Sequence, residues 1–516
     1  MIRPYACAIV SFFIVTCESA RILAIFPVPS ISHQVVFRPI TQGLVRNGHE
    51  VVVMTPDPAF TKSQPPANLT EIDVHDISYK IFREVLLKMP MGSKGSLATQ
   101  MDGLVKVFSV VFEEQIKTEG IQKIINDKTQ KFDLLLIEAC IKPALSFSHI
   151  FKAPVILVSS LGQVLDNNNV IGVPNHPTRY PALRQRLYNL TVWEKFSEFK
   201  YYWDLMSIIQ EQEEKDNVKL RKYFGQDMPT LTELGNNVAM LFLNLNQIWA
   251  GNYPVPPSVI FMGGLHQKPK LDLPKDLQAS LDSSKNGVIY FSLGTNFAPL
   301  SKQQLQIFVN VFSKLPYDVY WIYYHEAEFP ELTENIKIFK FLPQSDLLRH
   351  PKIKLFITQG GIQSTDEAIT AGVPMVGLPM LADQWYNVEQ FVFHRIGKAL
   401  DIETLNEKDL MEAIKTVIED KSYRDNIKNL RTLILDQPQK PLERAMWYIE
   451  HVLRHKGARH LRSPVANMSL AEYIELDMIV VAVVILLAML VLAAVVVYKV
   501  YRIFTQNCSD KLDRLS

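Results

Sequence analysis

A histidine at the end of the first apolar run is the first candidate for acid–base chemistry. The run Arg21–Val28 gives way to the turn residues 29–32, and His33 stands where a helical pattern begins. A neutral imidazole can remove a proton from a hydroxyl group near neutral pH. Because a histidine taken alone is more often a packed polar residue, both interpretations stay open at this point.

A second candidate site follows an apolar run in the second half of the sequence. Lys354–Thr358 is followed by Gln359, Gly360 and Gly361, and Glu367 lies one to two turns into the next helical pattern. Glycines at a strand-to-helix turn let backbone N–H groups approach a phosphate, whose charge the helix N-terminus favours. A carboxylate placed like Glu367 can accept ribose hydroxyls. The ordinary alternatives are glycines that serve packing and a solvated helix acid.

An acid and an amide follow the next apolar run of the sequence. Asp383 and Gln384 come after Pro374–Leu378, at the start of another helical pattern. This is the carboxyl end of a strand, where parallel sheets bind their ligands. The pair suits hydrogen bonds to sugar hydroxyls, although an isolated dipeptide of this kind can also be a helix cap.

Two alternations of strands and helices position these residues. The order predicts an α/β fold of two doubly wound Rossmann-like domains facing each other across a cleft. We expect a first domain at 21–250, a connector at 251–286 that contains a proline-rich break, and a second domain at 287–456 that ends in a long helix. The apolar runs expected to be strands lie at 21–28, 50–54, 132–138, 154–158, 287–293, 319–323, 354–358 and 374–378.

The stretch between Ser159 and Asn246 has a less regular, aromatic-rich pattern. It includes the cluster Phe199–Trp203. Two interpretations are open: a helix of the core, or a lipophilic surface that faces a membrane.

Both ends of the sequence carry long apolar segments. Residues 1–20 have the layout of a secretory signal peptide, with an apolar core followed by small residues. Residues 478–498 contain no charge and are long enough for one membrane-spanning helix. Acidic residues precede that span, in the luminal juxtamembrane segment 457–477, and basic residues follow it. The positive-inside rule therefore predicts a single-pass type I protein with a luminal body and a cytosolic tail at 499–516.

Composition excludes several classes of protein. The 516 residues contain 54 Lys and Arg against 53 Asp and Glu, so no basic face for nucleic acid is indicated. Cys140 is the one cysteine of the predicted luminal body, which excludes a disulfide-rich ectodomain. The sequence leaves open whether the chain forms a homo-oligomer. Sequons for N-glycosylation in the predicted luminal body start at Asn68, Asn189 and Asn467.

The run from Phe341 to Gln390 resembles the donor-binding signature of the UDP-glycosyltransferase family, in its membrane-bound animal branch and with insect-like features. The resemblance extends to the signal and anchor and covers nearly the full chain, but residues 60–130 and 160–240 carry little of it. The matching motifs are Ser32-His33, Phe291-Ser292-Leu293-Gly294-Thr295, Leu342-Pro343-Gln344, Gly360-Gly361, Glu367-Ala368, Gly372-Val373-Pro374-Met375 and Asp383-Gln384.

The resemblance implies a GT-B type fold and a role for each motif. His33 would be the catalytic base, paired with Glu138 at a position where vertebrate relatives have Asp. The second domain would hold the UDP-sugar: uracil near Gln344, diphosphate near Thr295, Gln359 and the two glycines, ribose at Glu367, and sugar at Asp383 and Gln384. The sequence departs from many relatives at Gln359, where they have His, and at Ile322, where they have a basic residue.

Together these features predict an inverting glycosyltransferase. It would transfer a sugar, preferably glucose, from a UDP-sugar to a hydroxyl of a small lipophilic acceptor, as in detoxification or metabolite conjugation. No metal is expected, because backbone amides can stabilise the diphosphate. Residence in the endoplasmic reticulum rests on the resemblance alone. One alternative is a non-catalytic, membrane-anchored binder with the same fold. A nucleotide-dependent oxidoreductase is disfavoured, because no G-x-G-x-x-G follows the first strand.

Overall fold

The structure is a computed structural model of the chain. It describes residues 19–513 except 62, 87, 89–90, 94–96, 180–188, 295–298 and 326–327. Most of the predicted signal peptide lies outside the described residues. The chain divides after Pro464 into two compact units, one that contains both sheets and one that contains the C-terminal helix.

The first sheet contains seven parallel strands in the order β3-β2-β1-β4-β5-β6-β7. Its central strands are mostly apolar and buried, as is typical of parallel sheets covered by helices on both faces. The strands are β1 Arg21–Ile25, β2 Glu50–Thr55, β3 Leu69–Asp73, β4 Leu134–Glu138, β5 Val155–Ser159, β6 Val238–Leu243 and β7 Val259–Phe261.

The helices of this half follow the strands in alternation. They are α1 Ile31–Arg46, α2 His75–Leu86, α3 Leu97–Ile116, α4 Glu119–Asn126, α5 Ser146–Phe151, α6 Leu165–Ile171, α7 Val192–Phe224 and α8 Leu231–Leu234.

The second sheet has six parallel strands in the order β10-β9-β8-β11-β12-β13. In both sheets the strand order reverses beside the first strand, which is the doubly wound pattern that binds ligands at its carboxyl edge. The predicted fold of two Rossmann-like domains is therefore confirmed. The strands are β8 Val288–Ser292, β9 Asp318–Ile322, β10 Ile336–Phe339, β11 Ile353–Thr358, β12 Met375–Gly377 and β13 Gly397–Ala399.

The remaining helices belong to the second half and the C-terminal unit. They are α9 Lys275–Ser283, α10 Lys302–Phe312, α11 Gln344–Leu348, α12 Ile362–Ala371, α13 Gln384–Phe393, α14 Glu407–Glu419, α15 Lys421–Leu435, α16 Pro441–Arg454, α17 Leu470–Tyr473 and α18 Leu476–Asp513.

Two segments join the halves of the compact unit more closely than a linker would. Strand β7 lies inside the expected connector 251–286, yet it pairs with β6 at the edge of the first sheet. Helix α16 returns to the first domain, where Ala445 and Ile449 join the apolar cluster of Val36 and Ile40 from α1. The last helix of the unit thus packs on the domain in which the chain began.

Within the aromatic-rich stretch, the cluster Phe199–Trp203 belongs to a helix of 33 residues, α7. The expectation of a core helix is wrong for its first part, because the first buried residue is Leu205. The lipophilic-surface interpretation is the one that agrees with the exposure of Trp193 and Phe196.

Helix α18 contains the segment expected to cross a membrane. Within the described residues it is the one helix long and apolar enough for this, over Leu476–Thr505, and that part has no buried residues. It is a candidate membrane span by length and composition.

Candidate active site

A cavity of about 690 Å³ lies between the two sheets and is lined by both domains. His33 lines it from the first domain, and Gln344, Glu367 and Asp383 line it from the second. These residues follow the carboxyl ends of parallel strands, which explains why segments so distant in sequence meet at one place.

His33 and Glu138 form a hydrogen-bonded pair at the floor of the cavity. His33 Nδ1 lies 2.6 Å from Glu138 Oε1, and Glu138 Oε2 accepts a 3.0 Å hydrogen bond from the backbone N–H of Val28. Glu138 is fully buried, whereas the imidazole is partly exposed to the cavity. A carboxylate only accepts hydrogen bonds, so Nδ1 carries the proton and Nε2 offers a lone pair to a substrate. Glutamate, with its extra methylene, therefore reaches His33 from the end of β4.

Gln344 and Glu367 contact each other at another part of the cavity. Gln344 Nε2 donates to Glu367 Oε2 at 2.7 Å and to Ser364 Oγ at 2.9 Å. The Tyr290 hydroxyl donates to Gln344 Oε1 at 3.1 Å. Burial raises the pKa of Glu367, and the hydrogen bond from Gln344 opposes that increase. The amide of Gln344 thus holds the carboxylate that is expected to meet a ribose.

The two glycines after β11, Gly360 and Gly361, have different structural roles. Gly360 adopts φ +85°, and a Cβ there would lie 2.5 Å from Val388 Cγ2, so the turn requires glycine. Gly361 is the N-cap residue of α12 and lines the cavity, where the helix N-terminus can face an anion. The amide of Gln359 lies where a Cβ of Gly294 would stand. Thr295, the next residue along the chain, lies outside the described residues.

Asp383 and Gln384 begin helix α13 at the cavity. Gln384 Oε1 accepts 2.9 Å hydrogen bonds from the backbone N–H groups of Met380 and Leu381, so the side chain is fixed. Burial raises the pKa of Asp383 to about 6, while a hydrogen bond from Asn387 and the charge of His33 lower it. Asp383 of the second domain and His33 of the first thus line the same cavity.

Known proteins share this arrangement of two wound domains. A family model described as UDP-glucoronosyl and UDP-glucosyl transferase matches residues 21–514. The chain belongs to this family. The ecdysteroid UDP-glucosyltransferase of Spodoptera littoralis nuclear polyhedrosis virus is 35% identical over 489 residues, which cover 89% of this chain and 93% of that protein.

A human relative and a solved structure extend the comparison. UDP-glucuronosyltransferase 2B17 of Homo sapiens is 32% identical over 469 residues, or 87% of each chain. The crystal structure of the glycotransferase of kitacinnamycin has a TM-score of 0.56 at 17% identity and covers 85% of this chain and 99% of its own. The family resemblance and the GT-B type fold expected from the sequence are confirmed.

As a UDP-glycosyltransferase, the protein takes a UDP-sugar as co-substrate, and enzymes of this family typically need no metal ion. His33, Glu138 and Cys140 do bring three ligand-type atoms within 4.8 Å of one another. His33 and Glu138 already bind each other, and burial raises the pKa of the Cys140 thiol well above its usual value. This donor set suits a hydrogen-bonded pair beside a protonated thiol better than a cation.

Sequence analysis did not identify Asn387, a buried polar residue beside Asp383. Asn387 donates hydrogen bonds to Asp383 Oδ2 at 2.8 Å and to the Gly360 carbonyl at 2.9 Å. Its Oδ1 accepts a 2.9 Å hydrogen bond from the indole of Trp249, a buried residue that follows β6. The available signal was the spacing of Asp383 and Asn387, which share a face of a helix four residues apart.

The wall of the cavity beside His33 is apolar. It comes mainly from α1, α2 and α3 and from the loop after β5. Of these, α2, α3 and the loop belong to the ranges 60–130 and 160–240, which carry little of the family resemblance. Its described members include Ile31, Val35, Phe82, Met101, Leu104, Phe108, Leu161 and Val164.

The three sequons occupy different surroundings. Asn68 Nδ2 donates to the carbonyls of Val45 and His49, so its amide is held within the first domain. Asn189 and Asn467 both adopt positive φ angles, and Asn189 is exposed. Glycosylation at these residues stays a prediction.

Proposed function

We propose that the protein transfers glucose from UDP-glucose to a hydroxyl group of a small lipophilic acceptor, with inversion at the anomeric carbon. The observation that carries this proposal is the His33–Glu138 pair at the floor of the cavity. The imidazole lines the same cavity as an apolar wall, which suits the acceptor, and as Asp383, which suits the sugar. Conjugation of this kind makes a lipophilic compound more soluble, as detoxification requires.

The proposed reaction is a single displacement. His33 Nε2 takes the proton of the acceptor hydroxyl while its oxygen attacks the anomeric carbon. The bond between that carbon and the diphosphate oxygen breaks, and UDP leaves with the electron pair. Glu138 stabilises the imidazolium that forms, as a carboxylate does in other histidine–carboxylate pairs. N–H groups at the start of α12, near Gly361, stabilise the charge on the diphosphate.

The family resemblance suggests donor contacts for residues that line the cavity and for Thr295, which lies outside the described residues. We propose that Gln344 lies near the uracil, Glu367 near the ribose, and Thr295, Gln359 and Gly361 near the diphosphate. Gly360 allows the turn between β11 and α12, which carries Gln359 and Gly361. Asp383 and Gln384 then hydrogen-bond the hydroxyls of the sugar.

The charges around the cavity favour glucose over glucuronic acid. Gln359 and Ile322 line it where many relatives have histidine and a basic residue. The described lysines of the lining, Lys268 and Lys340, belong to segments beside the uridine end; Lys268 affects the charge of Glu367. Among the described lining residues, the segment that carries Asp383 and Gln384 contains no lysine or arginine to pair with a sugar carboxylate. The 35% identical viral relative is named a glucosyltransferase, and its name indicates a steroid acceptor that the apolar wall would suit.

The direct test is transfer by membranes that contain the full chain. UDP-glucose, UDP-galactose and UDP-glucuronic acid, each radiolabelled, are supplied with a panel of phenols, lipophilic alcohols and an ecdysteroid. We expect a β-glucoside from the α-linked donor, identified by the coupling constant of its anomeric proton. Binding of UDP-glucose without transfer to any acceptor would instead support the non-catalytic binder.

We further propose that the catalytic unit faces the lumen of the endoplasmic reticulum and that the tail after the candidate span is cytosolic. Acidic residues precede α18's apolar part and basic ones follow it, which supports this orientation. Protease added to sealed microsomes should remove only a small C-terminal piece. Digestion of the whole body would contradict this topology.

A further inference from the structure

The first part of α7 exposes a row of large apolar side chains. Val192, Phe196, Phe199 and Trp203 recur at intervals of three and four residues, so they share one side of the helix, and Trp193 lies beside them. We call these five residues the aromatic face. Trp193 is 79% exposed, Phe196 64% and Trp203 50%. Exposed apolar patches of this kind mark surfaces that contact another apolar phase.

The part of α7 that carries the aromatic face has a well-defined N-terminus. Thr191 and Glu194 form a capping box that fixes the first turn, and the first buried residue is Leu205. At about 1.5 Å per residue, roughly 20 Å of helix therefore precedes the first buried position. Among the described residues, Phe199 contacts the ring of His176, which lies outside the helix.

Only a short stretch of chain separates the compact unit from the helix that is suited to span a membrane, α18. The compact unit ends at Pro464, and only residues 465–475 separate it from α18. Eleven residues reach at most about 40 Å. Just before that exit, Arg462 donates hydrogen bonds to the carbonyls of Val238 and Val170. Val170 is six residues from His176, the residue that contacts the face.

The residue types favour a bilayer over a second copy of the chain. Tryptophan rings are enriched at membrane interfaces, where their apolar bodies enter lipid and their N–H groups stay near water. A stable dimer interface takes about 20–30 residues from each partner, far more than the five of this face. The flanking charges, Lys195 and Lys200 against Glu194, Glu198 and Asp204, nearly balance. These charges supply little attraction to anionic lipid, so the membrane contact would depend on the apolar side chains.

We propose that the aromatic face of α7 inserts into the surface of the bilayer and forms a second membrane contact besides α18. Helix α7 packs against α3, where Ser109 hydrogen-bonds Asp216. Helix α3 also supplies Met101, Leu104 and Phe108 to the apolar wall of the cavity. The contact would bring that wall near the lipid in which lipophilic acceptors dissolve; this consequence, unlike the contact itself, rests on the proposed function.

Tryptophan fluorescence can test the contact with the full chain. The protein has six tryptophans, and none lies in α18. Trp193 and Trp203 belong to the aromatic face, Trp249, Trp321 and Trp385 are buried, and Trp447 is 48% exposed on α16. The protein is reconstituted into phosphatidylcholine vesicles with or without bromine near the top of the acyl chains, which quenches only indoles at that depth.

We expect brominated lipid to quench the full chain and the control Trp447→Phe to the same extent, relative to the unbrominated vesicles. The double variant Trp193→Phe, Trp203→Phe keeps the apolar surface but removes its reporters, so it should lose most of the quenching. Equal quenching of the double variant and the parent, or no quenching of the parent, would overturn the proposal. The measurement needs no transfer activity, so its failure is distinct from failure of the proposed function.

Discussion

The side-chain amide of Asn387 donates a 2.8 Å hydrogen bond to the carboxylate of Asp383. The same side chain binds the carbonyl of Gly360 and the indole of Trp249. Through Asn387, Trp249 of the first domain is linked to Gly360 in the turn after β11 and to Asp383, the acid expected to bind the sugar. The hydrogen bond from Asn387 orients the carboxylate of Asp383. It also lowers the pKa of Asp383 and so favours the ionised form.

Asn387→Ala should weaken binding of the donor sugar and change its pH dependence. A hydrogen bond to a charged group is worth about 1.5–3 kcal/mol, so the KM for UDP-glucose should rise roughly tenfold or more. Burial raises the pKa of Asp383 to about 6 and Asn387 lowers it, so the variant's pKa should be higher still. Acidification should therefore inhibit the variant at a higher pH than the parent, as measured by kcat/KM between pH 5 and 8.

A matched control separates this effect from loss of packing. Gln390 lies on the same helix and donates to the carbonyl of Trp249, but it does not contact Asp383. Gln390→Ala should leave the acid side of the pH profile where it is in the parent. An unshifted profile in Asn387→Ala would contradict the role given to this residue.

His33→Ala should lower turnover on a hydroxyl acceptor by roughly 10²–10⁴-fold, the usual worth of general-base help. The proposed UDP-binding residues belong to the other domain, so the affinity for UDP should hardly change. Radiolabelled transfer and isothermal titration with UDP measure the two quantities separately. Full activity of His33→Ala would show that the proposed mechanism is wrong.

Glu138→Gln tests the partner of His33. The parent carboxylate accepts from both His33 Nδ1 and the Val28 N–H, whereas an amide has only one accepting oxygen. Either one of the two contacts is lost, or the amide donates to Nδ1 and the imidazole proton moves to Nε2, where it blocks the base. The negative charge is lost in both cases. We expect a loss of about 10–1000-fold by analogy with other histidine–carboxylate pairs.

Two further variants sharpen this test. Glu138→Asp restores the charge and should recover part of the activity that Glu138→Gln loses. The double variant with His33→Ala should lose little more than His33→Ala alone, because residues that act as a unit are not additive. A fully active Glu138→Gln would mean that another acid, or none, assists the base.

The sequence predicted those parts of the site that follow long apolar strands. His33 and Glu138 come after runs that any parallel sheet would bury, so their meeting at one edge was expected. The link from Trp249 to Asn387 joins residues 138 positions apart through one side-chain contact, which no local pattern encodes. Strand β7 was missed because it has three residues and lies within a stretch that reads as a connector.

The internal contacts of Gln344 also lay beyond sequence analysis. The resemblance implied a place near uracil, but it could not show that the amide already binds Tyr290, Ser364 and Glu367. These bonds depend on three elements that pack at one corner of the second sheet. A role toward the nucleotide stays a prediction for Gln344.

Gln384→Glu should separate two functions of one side chain. Its Oε1 accepts from the N–H groups of Met380 and Leu381, and a carboxylate can keep both bonds. Only the amide's donor group, which we expect to contact a sugar hydroxyl, is lost. Transfer from UDP-glucose should therefore fall while UDP affinity is kept. Gln384→Ala, which also releases the 380–381 loop, should fall further; equal activity of Gln384→Glu and the parent would exclude a donated bond to the sugar.

Asp366→Asn should alter how stability depends on pH without touching the proposed chemistry. Burial raises the pKa of Asp366 from an ordinary value near 4 to about 8. The folded protein therefore keeps a proton there that the unfolded chain releases. This contribution is fully present below pH 4 and is lost as the pH rises through 8, by up to about 1.4 kcal/mol per pH unit. An amide has the same shape and no proton to lose.

Melting temperatures in detergent should accordingly fall less between pH 5 and 8 for the Asp366→Asn variant than for the parent. The exposed control Asp420→Asn should behave like the parent over that range. Parallel curves for Asp366→Asn and the parent would show that the carboxyl is ionised in the folded protein.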